Sequence, residues 1–99
     1  AGVVLLNPND ILRVYSQGNR VYAATTSEVY RLKMRLYEAE EVLAGGKIVR
    51  VSSSELVNFA HVKQLDLSFS GTIRLEFEQG GNAFVSRRYV PIIKQILGI

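Results

Sequence analysis

A mostly β chain with two short helices is what this sequence predicts, and three observations carry that expectation. Val62 to Phe69 and Thr72 to Glu78 alternate apolar and polar residues around Ser70-Gly71, the pattern of a hairpin with one buried face. Ile11 to Tyr15 and Val21 to Thr25 are strand-like runs on either side of the polar linker Ser16-Gln17-Gly18-Asn19-Arg20. Helical spacing of apolar residues appears in only two places, near Leu36 and after Arg88.

Taken in order, Gly2 to Leu6 is an apolar, β-branched run that predicts a first strand, closed by the turn-forming Asn7-Pro8-Asn9-Asp10. The hairpin of Ile11 to Tyr15 and Val21 to Thr25 follows, with Gly18-Asn19 at its tip. Val29 to Lys33 predicts another strand, although Val29 and Leu32 do not fit strict alternation. From near Lys33, Leu36, Ala39 or Glu40, and Leu43 recur every three to four residues, which predicts one short amphipathic helix ended by Ala44-Gly45-Gly46. Ile48 to Val51 is again strand-like, whereas Ser52-Ser53-Ser54 and Leu56-Val57 read as irregular chain or a short helical turn. In the hairpin that comes next, Leu65, Leu67 and Phe69 are expected on one face, as are Ile73, Leu75 and Phe77 on the partner strand. Gln79 to Asn82 turns the chain into a short strand, Ala83 to Ser86. Tyr89, Ile92, Ile93, Ile96 and Leu97 then mark a C-terminal helix that has Pro91 in its first turn, where the missing amide donor costs nothing.

Ninety-nine residues suffice for one domain spanning 1–99, with 47% apolar and 21% charged residues and two prolines, a composition that folds. The chain has no cysteine and one histidine, which removes disulfides, thiolate metal sites and multi-histidine clusters, so no cofactor is expected. No apolar run approaches the ~18 residues of a spanning helix and nothing resembles a signal peptide, so the expected location is the cytoplasm. Asp10, Asp66 and Glu38 to Glu41 sit in contexts that solvation explains, and His61 lacks a second histidine or a nucleophile beside it. The glycine pairs lack the spacing and the lysine of a phosphate loop. An enzyme acting on a small-molecule substrate is therefore not expected.

The formal charge of +3 fits polyanion binding without requiring it. Phe84 to Ile99 holds Arg87, Arg88 and Lys94 without an acidic residue, and Asp10 to Lys33 holds four basic residues against two acidic ones. Folding either brings these segments to one side or leaves them apart. Val85-Ser86-Arg87-Arg88-Tyr89 joins a strand end to a helix start, where two guanidinium groups suit guanine edges or phosphates. Two adjacent arginines taken alone equally describe a solvated edge.

Several stretches in order resemble the LytTR DNA-binding domain of bacterial regulators, from about Asp10 to Leu97. They are Asp10 to Tyr15 leading into Gly18-Asn19, Leu36 with Glu41 and Leu43, Ile48 to Val51, Ser54-Glu55-Leu56-Val57-Asn58, and Val85 to Tyr89. The resemblance implies an elongated fold of stacked antiparallel sheets with one short central helix and a C-terminal helix. It implies sequence-specific binding of double-stranded DNA by loops that enter the major groove, in the service of transcription regulation. Its three contact regions fall on Gly18-Asn19-Arg20, on Arg50 to Ser54, and on Ser86-Arg87-Arg88-Tyr89. Arg88 corresponds to a base reader, and either Asn19 or Arg20 occupies the other base-reading loop. Ser53 departs from the basic or amide residue common in the family, which implies a middle contact that is either weaker or reduced to a hydroxyl on a phosphate. Asn58 is expected to be structural. Lys63 to Ile99 looks like a subgroup of small regulators without a receiver domain, which implies a regulatory membrane protein as partner, beside a homodimer on paired DNA repeats. Because the chain opens on Ala1 in an apolar run, a piece of a longer protein, missing an upstream segment, is expected. A protein interaction module, with basic residues that only confer solubility, is the alternative from another class.

Overall fold

The computed structural model describes residues 2–99. Eight strands and two α-helices follow in the order β1 (Ile11–Gln17), β2 (Arg20–Thr25), β3 (Val29–Leu32), α1 (Leu36–Val42), β4 (Ile48–Ser52), β5 (Glu55–Asn58), β6 (Val62–Asp66), β7 (Ile73–Phe77), β8 (Asn82–Val85) and α2 (Val90–Leu97). Single 3-10 turns at Pro8–Asp10, Phe59–His61 and Arg87–Tyr89 link them. The strands build two antiparallel sheets, one ordered β3-β2-β1-β5-β4 and the other β6-β7-β8. With principal extents of 46 × 25 × 24 Å the molecule is elongated, the mostly β architecture that the sequence predicts.

Two apolar clusters hold the layers together. On one face of the five-stranded sheet, Ile11, Val14, Val21, Ala23 and Leu56 pack against Leu36 and Ala39 of α1. On the opposite face, Val51 and Val57 meet Ile73, Leu75 and Phe77 of β7, Ala83 and Val85 of β8, and Ile93 of α2. Strand β5 therefore lies between both clusters, with Leu56 turned to one and Val57 to the other, each with no exposed surface. Alternation of side chains across a strand makes that possible with two consecutive apolar residues.

Local chemistry accounts for the ends of the elements. The tip of the first hairpin is the two-residue turn Gly18-Asn19, with Gln17 paired to Arg20 and Gly18 at φ 62, a value that glycine adopts at no steric cost. Helix α1 starts after Arg35, whose amide donates to the Glu38 carboxylate at 2.9 Å, and Gly45 at φ 89 lies in the chain beyond it. Buried Asn58 ties the middle of the chain to its start: its Nδ2 donates to the Ile11 carbonyl at 2.8 Å and to that of Pro8 at 3.4 Å, and its Oδ1 accepts from the Ala60 amide at 3.0 Å.

Four expectations need correction. Residues 2–6 are not a strand: they pair with nothing among the described residues, and Val3 and Leu5 are 89% and 91% exposed. A β-branched composition is a propensity that needs a partner strand to act on. Residues 55–58 are a central strand rather than irregular chain, because the serines form the tight turn and the apolar pair serves two cores. In the β6–β7 hairpin the link is residues 67–72, not two residues, because the Asp66 carboxylate accepts from the Ser68 amide at 2.9 Å and from its hydroxyl at 2.6 Å and so ends the strand. Leu67 and Phe69 consequently leave the core face that Leu65 keeps, and Phe69 instead meets Phe84 edge-on and lies under the Arg74 guanidinium. In α2 only Ile93 is fully buried and Leu97 partly so, whereas Ile92 and Ile96 stay about half exposed, since the core between the two sheets takes up one narrow stripe of the helix.

Candidate nucleic-acid interface

The expected contact residues fall on three connections, namely the β1–β2 tip, the β4–β5 turn and the junction between β8 and α2. Asn19 and Arg20 are exposed at the tip. Ser53 and Ser54 form the β4–β5 turn, which backbone bonds fix on both sides: the Ser16 amide donates to the Ser54 carbonyl, and the Ser86 amide to the Val51 carbonyl, each at 2.9 Å. The turn thus joins the first hairpin to the C-terminal junction. Within it, the Ser54 amide donates to the Ser52 hydroxyl at 3.2 Å, while the exposed Ser53 hydroxyl has no partner among the described residues.

At the junction the 3-10 turn Arg87–Tyr89 carries two exposed guanidinium groups. Arg88 lies 5.7 Å from the Tyr89 ring centre, and Arg87 lies against the backbone of Gly71, where a Cβ would come within 2.7 Å of its Nε. Neither arginine has an ion pair among the described residues, so both charges are available to a polyanion.

Arg50 is in a different state. Its side chain is 17% exposed and pairs with Glu40 of α1 at 3.0 Å, while its Nη1 donates to the Ser53 carbonyl at 2.8 Å.

Two concavities connect the three regions. A groove of about 1000 Å³ runs from Asn19 and Arg20 to Arg50 and Ser53, and Arg31, Lys33 and Arg35 also line it. A smaller one of about 540 Å³ runs from Arg50 and Ser53 to Tyr89, Ile92 and Ile96. Folding therefore sets Arg20, Arg31 and Lys33 of the first basic segment around one groove, and the β4–β5 turn links that groove to the second basic segment. Arg31, Lys33 and Arg35 are groove-lining cations that the sequence alone did not single out as candidates. Their signal is a basic residue at every second position from 31 to 35, which β3 and the start of α1 bring to the rim.

The remaining polar clusters read as structural. The His61 ring sits between the Asn9 carbonyl, 2.6 Å from Nε2, and Gln79 Nε2, 3.0 Å from Nδ1, so one neutral tautomer satisfies both contacts. Glu55 lies 2.7 Å from Arg13 beneath the first sheet, where burial pushes its carboxyl above the usual range and Arg13 pulls it back only in part. No group of three or more metal-ligating side chains occurs among the described residues, and no helix there is long and apolar enough to cross a membrane.

Compared with known protein families, residues 1–98 match the LytTr DNA-binding domain. The chain belongs to the LytTR family. A solved LytTr DNA-binding domain from a methyl-accepting/DNA response regulator of Bacillus cereus superposes with a TM-score of 0.88 over 92% of this chain and 84% of that one, at 22% identity, which shows the shared fold. A transcriptional regulator of Staphylococcus aureus strain COL is 34% identical over 95 residues, and its counterpart in strain MRSA252 is 33% identical over the same length. The match takes in 96% of this chain and 64% of those regulators. Both are named as helix-turn-helix-type proteins, but in this LytTR domain α1 and α2 are separated by β4 to β8 and form no helix-turn-helix among the described residues. The LytTR family is a DNA-binding family and not an enzyme family.

Proposed function

We propose that this LytTR domain reads duplex DNA sequence-specifically along the edge formed by its three connections, as the DNA-recognition part of a cytoplasmic transcriptional regulator. The observation that carries the reading is that the Gly18-Asn19 tip, Ser53 of the β4–β5 turn and Tyr89 of the C-terminal junction line two concavities that share Arg50 and Ser53, with Arg20, Arg31, Lys33 and Arg35 on the first and the exposed Arg87 and Arg88 next to Tyr89 in the chain. Arg88 donates to a base edge in the major groove, where arginine can bond guanine through two acceptors. Arg87, Arg31, Lys33 and Arg35 neutralise phosphates and set the register. Asn19 or Arg20 enters the groove at the other end. The Ser53 hydroxyl, together with Ser54, Ser86 and Tyr89, meets the backbone between them. Two copies on paired repeats extend the same edge along one duplex, and a membrane protein is the regulatory partner.

Enrichment from randomised duplexes, followed by titration of the enriched and a scrambled duplex at two salt concentrations, tests the proposal. A preferred sequence should emerge, and affinity for both duplexes should fall steeply with salt because phosphate contacts release counterions. Affinity that is insensitive to salt, with no sequence enriched, would overturn it. Single against paired enriched sites then reports whether a second copy adds affinity.

A further inference from the structure

Arg50 stands in the contact region that the family resemblance assigns to DNA, yet its guanidinium is spent inside the protein. Nε and Nη2 both donate to Glu40 Oε1, at 3.3 and 3.0 Å, and Nη1 donates to the carbonyls of Ser53 at 2.8 Å and Ser52 at 3.4 Å. All three nitrogens are engaged, and to reach a phosphate the side chain would have to release both an ion pair and a turn. The pair itself adds little stability, since a carboxylate 43% exposed is screened by water. Its consequence is geometric.

The β4–β5 pairing slips between Arg50 and Ser52, so the chain bulges where it enters the turn, and bulges re-aim the side chains that follow. The fork of Arg50 spans this irregular piece of backbone and fastens its carbonyls to helix α1. Ser54 is held to Ser16 and Val51 to Ser86; Ser53 and Ser54 are both exposed, and of the two only the Ser53 hydroxyl has no partner among the described residues.

We propose that Arg50 is a positioning residue rather than a DNA contact: anchored by Glu40, it holds the Ser53 carbonyl so that the Ser53 hydroxyl faces the nucleic acid in one orientation. The DNA half of this statement rests on the function proposed above, while the fastening of the turn stands without it. Arginine suits the task because its planar fork donates in two directions at once, which a lysine ammonium on a flexible stem does not reproduce.

The test uses Glu40→Gln and Arg50→Lys, with two readouts. In the free protein, amide chemical shifts of Ser53 and Ser54 should move in both variants while those of the Gly18-Asn19 tip stay in place. Against DNA, the ratio of affinities for the enriched and scrambled duplexes should fall roughly 3- to 10-fold, the effect of one misplaced polar contact. In a Ser53→Ala background, Glu40→Gln should lower that ratio no further, because the strut then has nothing to present.

An arginine that contacts phosphate behaves in the opposite way. Freed by Glu40→Gln it would strengthen binding to both duplexes with their ratio unchanged, and Arg50→Lys would bind like the parent; either result overturns the proposal. Additive losses with Ser53→Ala would also overturn it. If no duplex is preferred by the parent protein, the proposed function fails, and the amide shifts alone decide whether Arg50 and Glu40 fasten the turn. Unmoved Ser53 and Ser54 signals would then refute the strut.

Discussion

Replacing Asn58 by alanine should lower stability by about 2 to 4 kcal/mol and leave intrinsic DNA affinity intact. Two well-formed bonds disappear, to the Ile11 carbonyl at 2.8 Å and from the Ala60 amide at 3.0 Å, and each is worth about 1 kcal/mol net. The Ile11 carbonyl then remains in a buried setting without its partner, at a further cost of roughly 1 to 3 kcal/mol less whatever water recovers. For a domain of this size about 1 kcal/mol moves the melting temperature by roughly 4 to 8 °C, so a fall of about 8 to 32 °C is expected. Asn58→Asp sharpens the test, since a carboxylate retains the bond from Ala60 and faces the carbonyls of Ile11 and Pro8 without a donor. It should melt at or below the alanine variant. Thermal unfolding by circular dichroism, paired with DNA titration well below both midpoints, supplies the measurement. A variant that melts like its parent yet loses DNA affinity would show that Asn58 belongs to the interface, and the reasoning from its hydrogen bonds would be wrong.

Further outcomes follow from the same geometry. Arg88→Ala should cost about 1 to 3 kcal/mol on the enriched duplex and little on a scrambled one, whereas Arg87→Ala should weaken both alike; equal losses on both duplexes for Arg88→Ala would remove its base-reading role. Alanine at both Asn19 and Arg20 should flatten the preference among duplexes without altering the melting curve, and an unchanged preference would take the tip out of the interface. Gly71→Ala forces a side chain onto a backbone at φ 74 and into the Arg87 guanidinium, so it should cost about 1 kcal/mol of stability and weaken both duplexes; parent-like binding would show that the seat of Arg87 is irrelevant. For Glu55, whose folded carboxyl titrates above its unfolded one, the stabilising contribution is complete below the ordinary carboxylate pKa and is lost as pH rises through the folded value. Glu55→Gln, which stays neutral, should therefore gain on its parent as pH rises through that window, and a gain that grows toward acid instead would show that attraction by Arg13 outweighs burial.

What could be read from the sequence was whatever local pattern decides. The β1–β2 hairpin has its turn residues beside it, and Leu36, Ala39 and the following glycines mark α1 without reference to the rest of the chain. Strand β5 was illegible because Leu56 and Val57 are buried on opposite faces, which erases the alternation that marks a half-buried strand. Residues 2–6 misled in the other direction, since strand propensity says nothing about whether a partner edge is present. The exposure of Ile92 and Ile96 depends on how much of α2 the core between the two sheets takes up, a tertiary fact. At the candidate site, exposed Arg87 and Arg88 were legible from their place between strand and helix. Arg50 looked equally basic, and only its neighbour Glu40, ten positions earlier on another element, shows that its charge is already matched.

The place of β5 between two cores also bears on how the chain folds. Hairpins close over a few residues, but β1 and β5 must meet across about forty, as the pairing of Tyr15 with Glu55 requires, and closing a loop of that length forfeits entropy before any contact repays it. Neither cluster can lose this strand and remain sealed, so the two sheets should unfold as a single cooperative unit rather than as separable lobes. Amide protons of Leu56 and Val57 should then be among the last to exchange with solvent, released only when the whole molecule opens.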